Sequence, residues 1–236
     1  MKKSSTKKTV RCIETFLNQH VIQKDSDLDI THTQFSQFQN RKFHISENDY
    51  PEFISLYNNN IIKTKKNHSI VERQLIHKNG GPGVLLSDFD FQFSELHKDR
   101  QYTNDHKEQI INWYLEEISN IFELDEDVTF LVTLMEKPSP RVITKPTGAI
   151  IVKDGLHLVC SVMIDPIYHQ YIRSNILKKI TENWNELPVI NKWEDVLDNS
   201  ISNGTNGWLA PQSKKKDDSS FYVPSISYNV QYDNDS

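Results

Sequence analysis

Leu85-Leu86-Ser87-Asp88-Phe89-Asp90-Phe91-Gln92-Phe93 places two carboxylates, one residue apart, inside an otherwise apolar run. Successive side chains of a β-strand point to opposite faces. Leu85, Ser87, Phe89, Phe91 and Phe93 therefore share one face, and Leu86, Asp88, Asp90 and Gln92 share the other. The two aspartates stand side by side, about 6.5–7 Å apart at Cα by strand spacing. Like charges held that close are unfavourable unless something positive lies between them, and a hard divalent cation with oxygen ligands meets that need. The plainer alternative is a half-buried strand with a solvated acidic face.

Asn79-Gly80-Gly81-Pro82-Gly83 is a turn sequence leading into this strand, and Ser69 to Lys78 before it is a candidate strand. Ser46-Glu47-Asn48-Asp49 caps a helix that runs through Phe53, Ile54, Leu56 and Tyr57 to about Asn58. Val10, Ile13, Phe16 and Leu17 predict a helix over residues 9–20, and Gln23 to Arg41 reads as loop or short strands. Beyond the aspartates, Ile110, Ile111, Tyr114, Leu115, Ile118 and Ile121 form the stripe of an amphipathic helix over 103–122. Val128 to Met135 reads as a strand, followed by a loop to Pro146 that carries Arg141 and Lys145. Residues 149–152 and 156–164 read as two strands separated by a Lys153-Asp154-Gly155 turn. A helix over 166–187, a short one around 193–197, a short strand at 208–210 and a last strand over 221–230 complete the chain. This order predicts an α+β fold with a mostly antiparallel sheet and helices on one face.

At 236 residues the chain holds one large domain or two small ones. A formal charge of −5 argues against a protein that coats nucleic acid non-specifically, but not against a local cationic groove. No apolar run approaches the ~18–20 residues that span a bilayer, so no membrane partner is expected. The basic start, Met1 to Lys8, precedes no long apolar segment and reads as a loose tail rather than a secretory signal. Cys12 and Cys160 read as reduced thiols. Neither a Gly-x-x-x-x-Gly-Lys-Ser/Thr loop nor a Gly-x-Gly-x-x-Gly turn occurs, so any nucleotide is bound without them.

Three downstream features complete a pattern. His157 begins the polar face of a later strand, where it is either a structural residue or a phosphate contact. Asp198 lies beside Glu194 and Asp195, either as one more solvated acid at a helix end or as a third ligand. Trp208-Leu209-Ala210-Pro211-Gln212-Ser213-Lys214-Lys215-Lys216 puts a hydroxyl and three cations after a short apolar strand. That run is either a solvated loop or a triphosphate grip.

Taken in order, Asp88-x-Asp90, Gly155-x-His157, Asp198 and Ser213-Lys214 resemble the archaeo-eukaryotic primase superfamily. The likeness is to the N-terminal primase domain of primase–helicases from poxvirus-like and giant DNA viruses. Lys153 to Leu158 matches that group's Lys-Asp-Gly-apolar-His-apolar motif at every position, and Asn206-Gly207-Trp208-Leu209 matches its Asn-Gly-Trp-Leu. Pro211-Gln212 replaces the usual Tyr-Gly, so the phosphate-side loop departs from the pattern.

The resemblance implies a primase-type catalytic core: an RRM-like antiparallel sheet, flanking helices and an N-terminal α/β subdomain. Residues 1–40 would form a tail, helix and polar loop, 41–232 the catalytic domain of two packed α/β modules, and 233–236 a tail. It implies template-directed nucleotidyl transfer with two Mg2+ or Mn2+ ions, for which Asp88, Asp90 and Asp198 are the catalytic and metal residues. His157, Ser213, Lys214 and Lys215 would bind the triphosphate, with Lys153 and Arg141 as further phosphate or template contacts. The implied partners are single-stranded DNA, nucleoside triphosphates and a helicase domain on the same polypeptide, of which this chain would be the N-terminal part. The implied location is the host cytoplasm. A metal-dependent nuclease and a degenerate, non-catalytic binding module are the competing functions.

Overall fold

A computed structural model describes residues 12–23, 26–35, 40–66, 68–124, 128–215 and 220–231. They fall into two compact units, Met1–Arg73 with Leu209–Asp218, and Gln74–Trp208 with Ser219–Ser236.

In the smaller unit, strands β1 (His32–Gln34), β2 (Arg41–Phe43) and β3 (Ile70–Arg73) form an antiparallel sheet with β1 in the middle. Helix α1 (Ile13–Gln19) buries Ile13, Phe16 and Leu17, and α2 (Tyr50–Tyr57) buries Phe53, Leu56 and Tyr57, together with Phe43, Ile45 and Ile70. A π-helical turn, Asn58–Ile62, continues α2 and adds Ile61. The returning segment is stitched in by main-chain bonds, Ala210 N–H to Ile70 O at 3.0 Å and Lys214 N–H to His68 O at 3.0 Å.

The larger unit is built on β4 (Gly83–Ser94), β5 (Thr129–Glu136), β7 (Ile150–Ile164) and β9 (Val223–Gln231), in the order β4-β7-β5-β9. A further strand, β6 (Arg141–Thr144), pairs with the first part of β7, and every pairing is antiparallel. The alternation of β4 is as the sequence predicts: Leu85, Ser87, Phe89, Phe91 and Phe93 are buried together. They pack with Ile110, Ile111, Tyr114 and Ile118 of α4 (Asn104–Ile121) and Ile172, Ile176 and Ile180 of α5 (Pro166–Asn183). Ser87, the polar exception, pairs its hydroxyl with that of Tyr114 at 2.6 Å, as a buried polar group must. Thr103 and His106 form a reciprocal cap that starts α4. Short helices α3 (Leu75–Lys78), α6 (Trp193–Val196) and α7 (Asn199–Ser202), with a short strand β8 (Gly207–Leu209), complete the elements. No described helix is long and apolar enough to cross a membrane.

Several expectations are corrected. Lys153-Asp154-Gly155 is not a turn but the interior of the fifteen-residue β7. The chain turns earlier, where Lys145 N–H bonds Ala149 O and Gly148 takes φ +84°, so the expected loop to Pro146 contains strand β6. The expected strand from Ser69 to Lys78 is β3 followed by α3, and the helix expected to reach Leu187 ends at Asn183. The proposed start of the first helix, before residue 12, lies outside the described residues.

A buried histidine pair ties these elements together. His169 donates from Nε2 to Leu86 O on β4 at 2.8 Å, and His77 Nε2 lies 3.0 Å from both His169 Nδ1 and Ser202 O. Burial, followed by the charge of His77, pushes His169 down to about 4. A base depressed in the folded state takes up its proton more readily when unfolded, so its share of stability is present above about pH 6.5 and lost as pH falls toward 4. His169→Asn should therefore destabilise the protein by about 1–3 kcal/mol at pH 7. The gap from wild type in urea unfolding should narrow as the pH is lowered to 4.5.

Candidate functional site

The pairing of β4 with β7 assembles the site. Asp88 stands directly opposite His157, Asp90 opposite Gly155 and Gln92 opposite Lys153, and Lys153 faces Arg141 on its other side. Alternation puts all of these on the face of the sheet away from α4 and α5. His157 Nε2 lies 3.3 Å from Asp88 Oδ1, with both side chains largely withdrawn from solvent.

The far edge of β4 is covered by the segment that follows α5, so its backbone groups are not left open. Asn191 accepts from Gln92 N–H at 3.0 Å and donates to Asp90 O at 2.9 Å, while Asp198 N–H bonds Asp88 O at 3.0 Å. Asp198 is thereby brought beside Asp88 through its backbone. Its carboxylate caps α7, accepting from Ser200 N–H at 2.8 Å and from the Ser200 hydroxyl at 2.7 Å, with Asn206 Nδ2 3.4 Å away.

Asp154 explains why β7 runs straight through an Asp-Gly pair. Its carboxylate turns to the opposite, buried face, where Arg100 Nε meets it at 2.9 Å and its own Oδ1 accepts Gly155 N–H at 2.9 Å. Arg100 also pairs with Glu136 at 2.7 Å and bonds Lys137 O. Burial holds the Asp154 carboxyl above the ordinary carboxylate range, against the pull of Arg100. Gly155 is required by close approach: an added Cβ would lie 2.8 Å from Phe89 O and 2.7 Å from the Tyr222 hydroxyl.

Sequence reasoning missed Tyr222. Its ring stacks on His157 with centroids 3.5 Å apart and planes 16° from parallel, and Trp208 meets the same imidazole at 4.4 Å. Burial, then the charges of Asp88 and Asp90, push the Tyr222 phenol well above its usual range. Nothing local in Ser220-Phe221-Tyr222 signals this contact, which arises only when β9 pairs with β5.

The other expected residues divide between the units. Lys153 and Arg141 are half-buried on the site's sheet, in a stretch from Lys137 to Lys153 that holds four cations and no acid. Ser213, Lys214 and Lys215 belong to the smaller unit. Ser213 is 2% exposed; its hydroxyl accepts Ile70 N–H at 3.0 Å and lies 3.1 Å from the Tyr57 hydroxyl. Lys214 is half-buried and Lys215 exposed. Cys160, pushed up to about 12 by burial, offers no thiolate.

An antiparallel sheet with helices on one face, an Asp-x-Asp pair set across from a Gly-x-His on the other, and an aspartate delivered to the sheet edge define a domain of the archaeo-eukaryotic primase class. More narrowly, the family described as the C962R protein N-terminal AEP domain matches residues 31–228, and the chain belongs to that family. Comparison with curated proteins gives no match.

Primases of this class are generally metal-dependent. The donors here are carboxylate oxygens, suited to a hard cation. Among the described residues, no group of three or more His, Cys, Asp or Glu side chains is arranged to hold a metal ion. Mg2+ is commonly held by one or two carboxylates, with substrate phosphates and water completing its shell.

Arg100→Met should destabilise the fold by roughly 3 kcal/mol at pH 7, because a buried carboxylate loses its partner. Asp154 then takes a proton more readily when folded than when unfolded, so urea unfolding should show a smaller loss at pH 5 than at pH 7.

Proposed function

We propose that this domain is a DNA primase or primase-polymerase that joins nucleoside triphosphates in template order on single-stranded DNA during DNA replication. The observation that carries the reading is the register of β4 on β7. Asp88 and Asp90 face His157 and Gly155 across that pairing, and Asp198 N–H bonds Asp88 O, so residues spread over about 110 positions lie near one another in support of the reading.

In this reading Asp88, Asp90 and Asp198 would hold two Mg2+ or Mn2+ ions together with the triphosphate. When bound, the ions lower the pKa of the attacking 3′-hydroxyl and offset charge developing at the α-phosphoryl group. The aspartates serve as fixed anions that gather cation and nucleotide, not as general bases. His157, whose ring nitrogen already faces Asp88, hydrogen-bonds a triphosphate oxygen. Lys153 and Arg141 extend the same face with positive charge and hold phosphates of nucleotide or template. Lys214 and Lys215 of the smaller unit are further proposed phosphate contacts. Ser213 already spends its hydroxyl within that unit. A helicase domain on the same polypeptide is the proposed partner.

Primer synthesis on a single-stranded template, with each nucleotide set and each metal, tests this directly. Asp88→Ala and Asp90→Ala should each lower synthesis by at least ~1000-fold while leaving the unfolding midpoint nearly unchanged. Full synthesis by either variant sinks the mechanism. Shortening of labelled strand in metal without nucleotides would point to the nuclease instead.

A further inference from the structure

A histidine on a strand has two side-chain torsions to lose before its ring edge is aimed. In this chain the Tyr222 ring lies flat against that of His157. The phenol ring lies 3.5 Å from the imidazole at 16°, a closer and flatter contact than that of Trp208 at 4.4 Å and 38°. We propose that Tyr222 is a positioning residue for nucleotide binding, holding the His157 ring edge-on to Asp88 so that a triphosphate meets a preset donor. The inference rests on the nucleotidyl-transfer reading above.

Tyr222 is itself held from several sides. The next residue, Val223, pairs with Glu136 on β5, which fixes the backbone. Lys137 Nζ donates to Ser220 O at 3.1 Å and lies 4.8 Å from the centre of the Tyr222 ring, a cation–π contact. The hydroxyl settles over Gly155, where a Cβ would stand 2.7 Å from it and 3.7 Å from Asp90 Oδ1. Arg100 bonds Lys137 O and so extends this support to the buried Asp154. A ring that leaves to admit substrate would be loosely tethered. This one is anchored by a strand, a cation and a close-packed hydroxyl, which is how a rigid support is built.

Tyr222→Phe keeps the stack and Tyr222→Leu removes it. In primer extension, Tyr222→Leu should raise KM for the nucleotide about tenfold with kcat within about threefold, while Tyr222→Phe stays within about twofold of wild type in both. The ring-proton resonances of His157 supply a readout independent of activity. Loss of the aromatic ring current should shift them in Tyr222→Leu, and Tyr222→Phe should leave them in place. Lys137→Met, which removes the Ser220 tether but keeps the ring, should move both readouts in the same direction by less, and it carries the test if Tyr222→Leu does not fold. An unshifted His157 ring in Tyr222→Leu, an unchanged KM in an active enzyme, or an equal KM rise in Tyr222→Phe would each overturn the proposal. If wild type extends no primer but the ring shift occurs, the polymerising role fails while the positioning of His157 stands.

Discussion

The register of β4 on β7 is the constraint on which the rest depends. Side chains alternate along a strand, so a slip of one residue would drive Asp88 and Asp90 into the apolar face and expose Phe89 and Phe91. Burial of five alternate β4 side chains against α4 and α5 opposes that slip, since each buried aromatic or Leu contributes about 1.5–3 kcal/mol. Two further features lock the same register from the β7 side. Only a residue without Cβ fits opposite Asp90, and the carboxylate one residue earlier pairs with Arg100. The bulge between Val84 and Leu85 confines the irregularity to the end of the strand away from the site.

Electrostatics follow from that register. The acidic pair and the cationic stretch from Lys137 to Lys153 occupy one sheet, with His157 and Lys153 two residues either side of Gly155. A chain of net charge −5 thus gathers positive charge where a polyanion would approach its carboxylates. The helix-facing side carries its own buried and half-buried charges, Arg100 and Lys107 against Asp154 and Glu136, each with a partner.

The core face of β4, the amphipathic α4 and the ordered motif were legible because each is written locally, as a period of two, a period of three to four, or a short pattern. Lys153-Asp154-Gly155 was misread because Asp-Gly is a strong turn signal until a partner 54 residues away claims the carboxylate. β6 was missed because four residues of strand between prolines read as loop until β7 pairs with them. The contacts of Tyr222 and Ser213 reach 65 and 143 residues along the chain, to His157 and Ile70, which no local pattern encodes.

Under the proposed function, Asp88 and Asp90 would receive a cation together with a triphosphate rather than hold one in a protein cage. Calorimetric titration of Mn2+ alone, of a non-hydrolysable nucleoside triphosphate alone, and of the two together tests it most directly. The expected result is weak binding of either alone and at least ~100-fold tighter triphosphate binding with the metal, a gain abolished in Asp90→Ala. Tight Mn2+ binding without nucleotide, or triphosphate binding indifferent to metal, would contradict it.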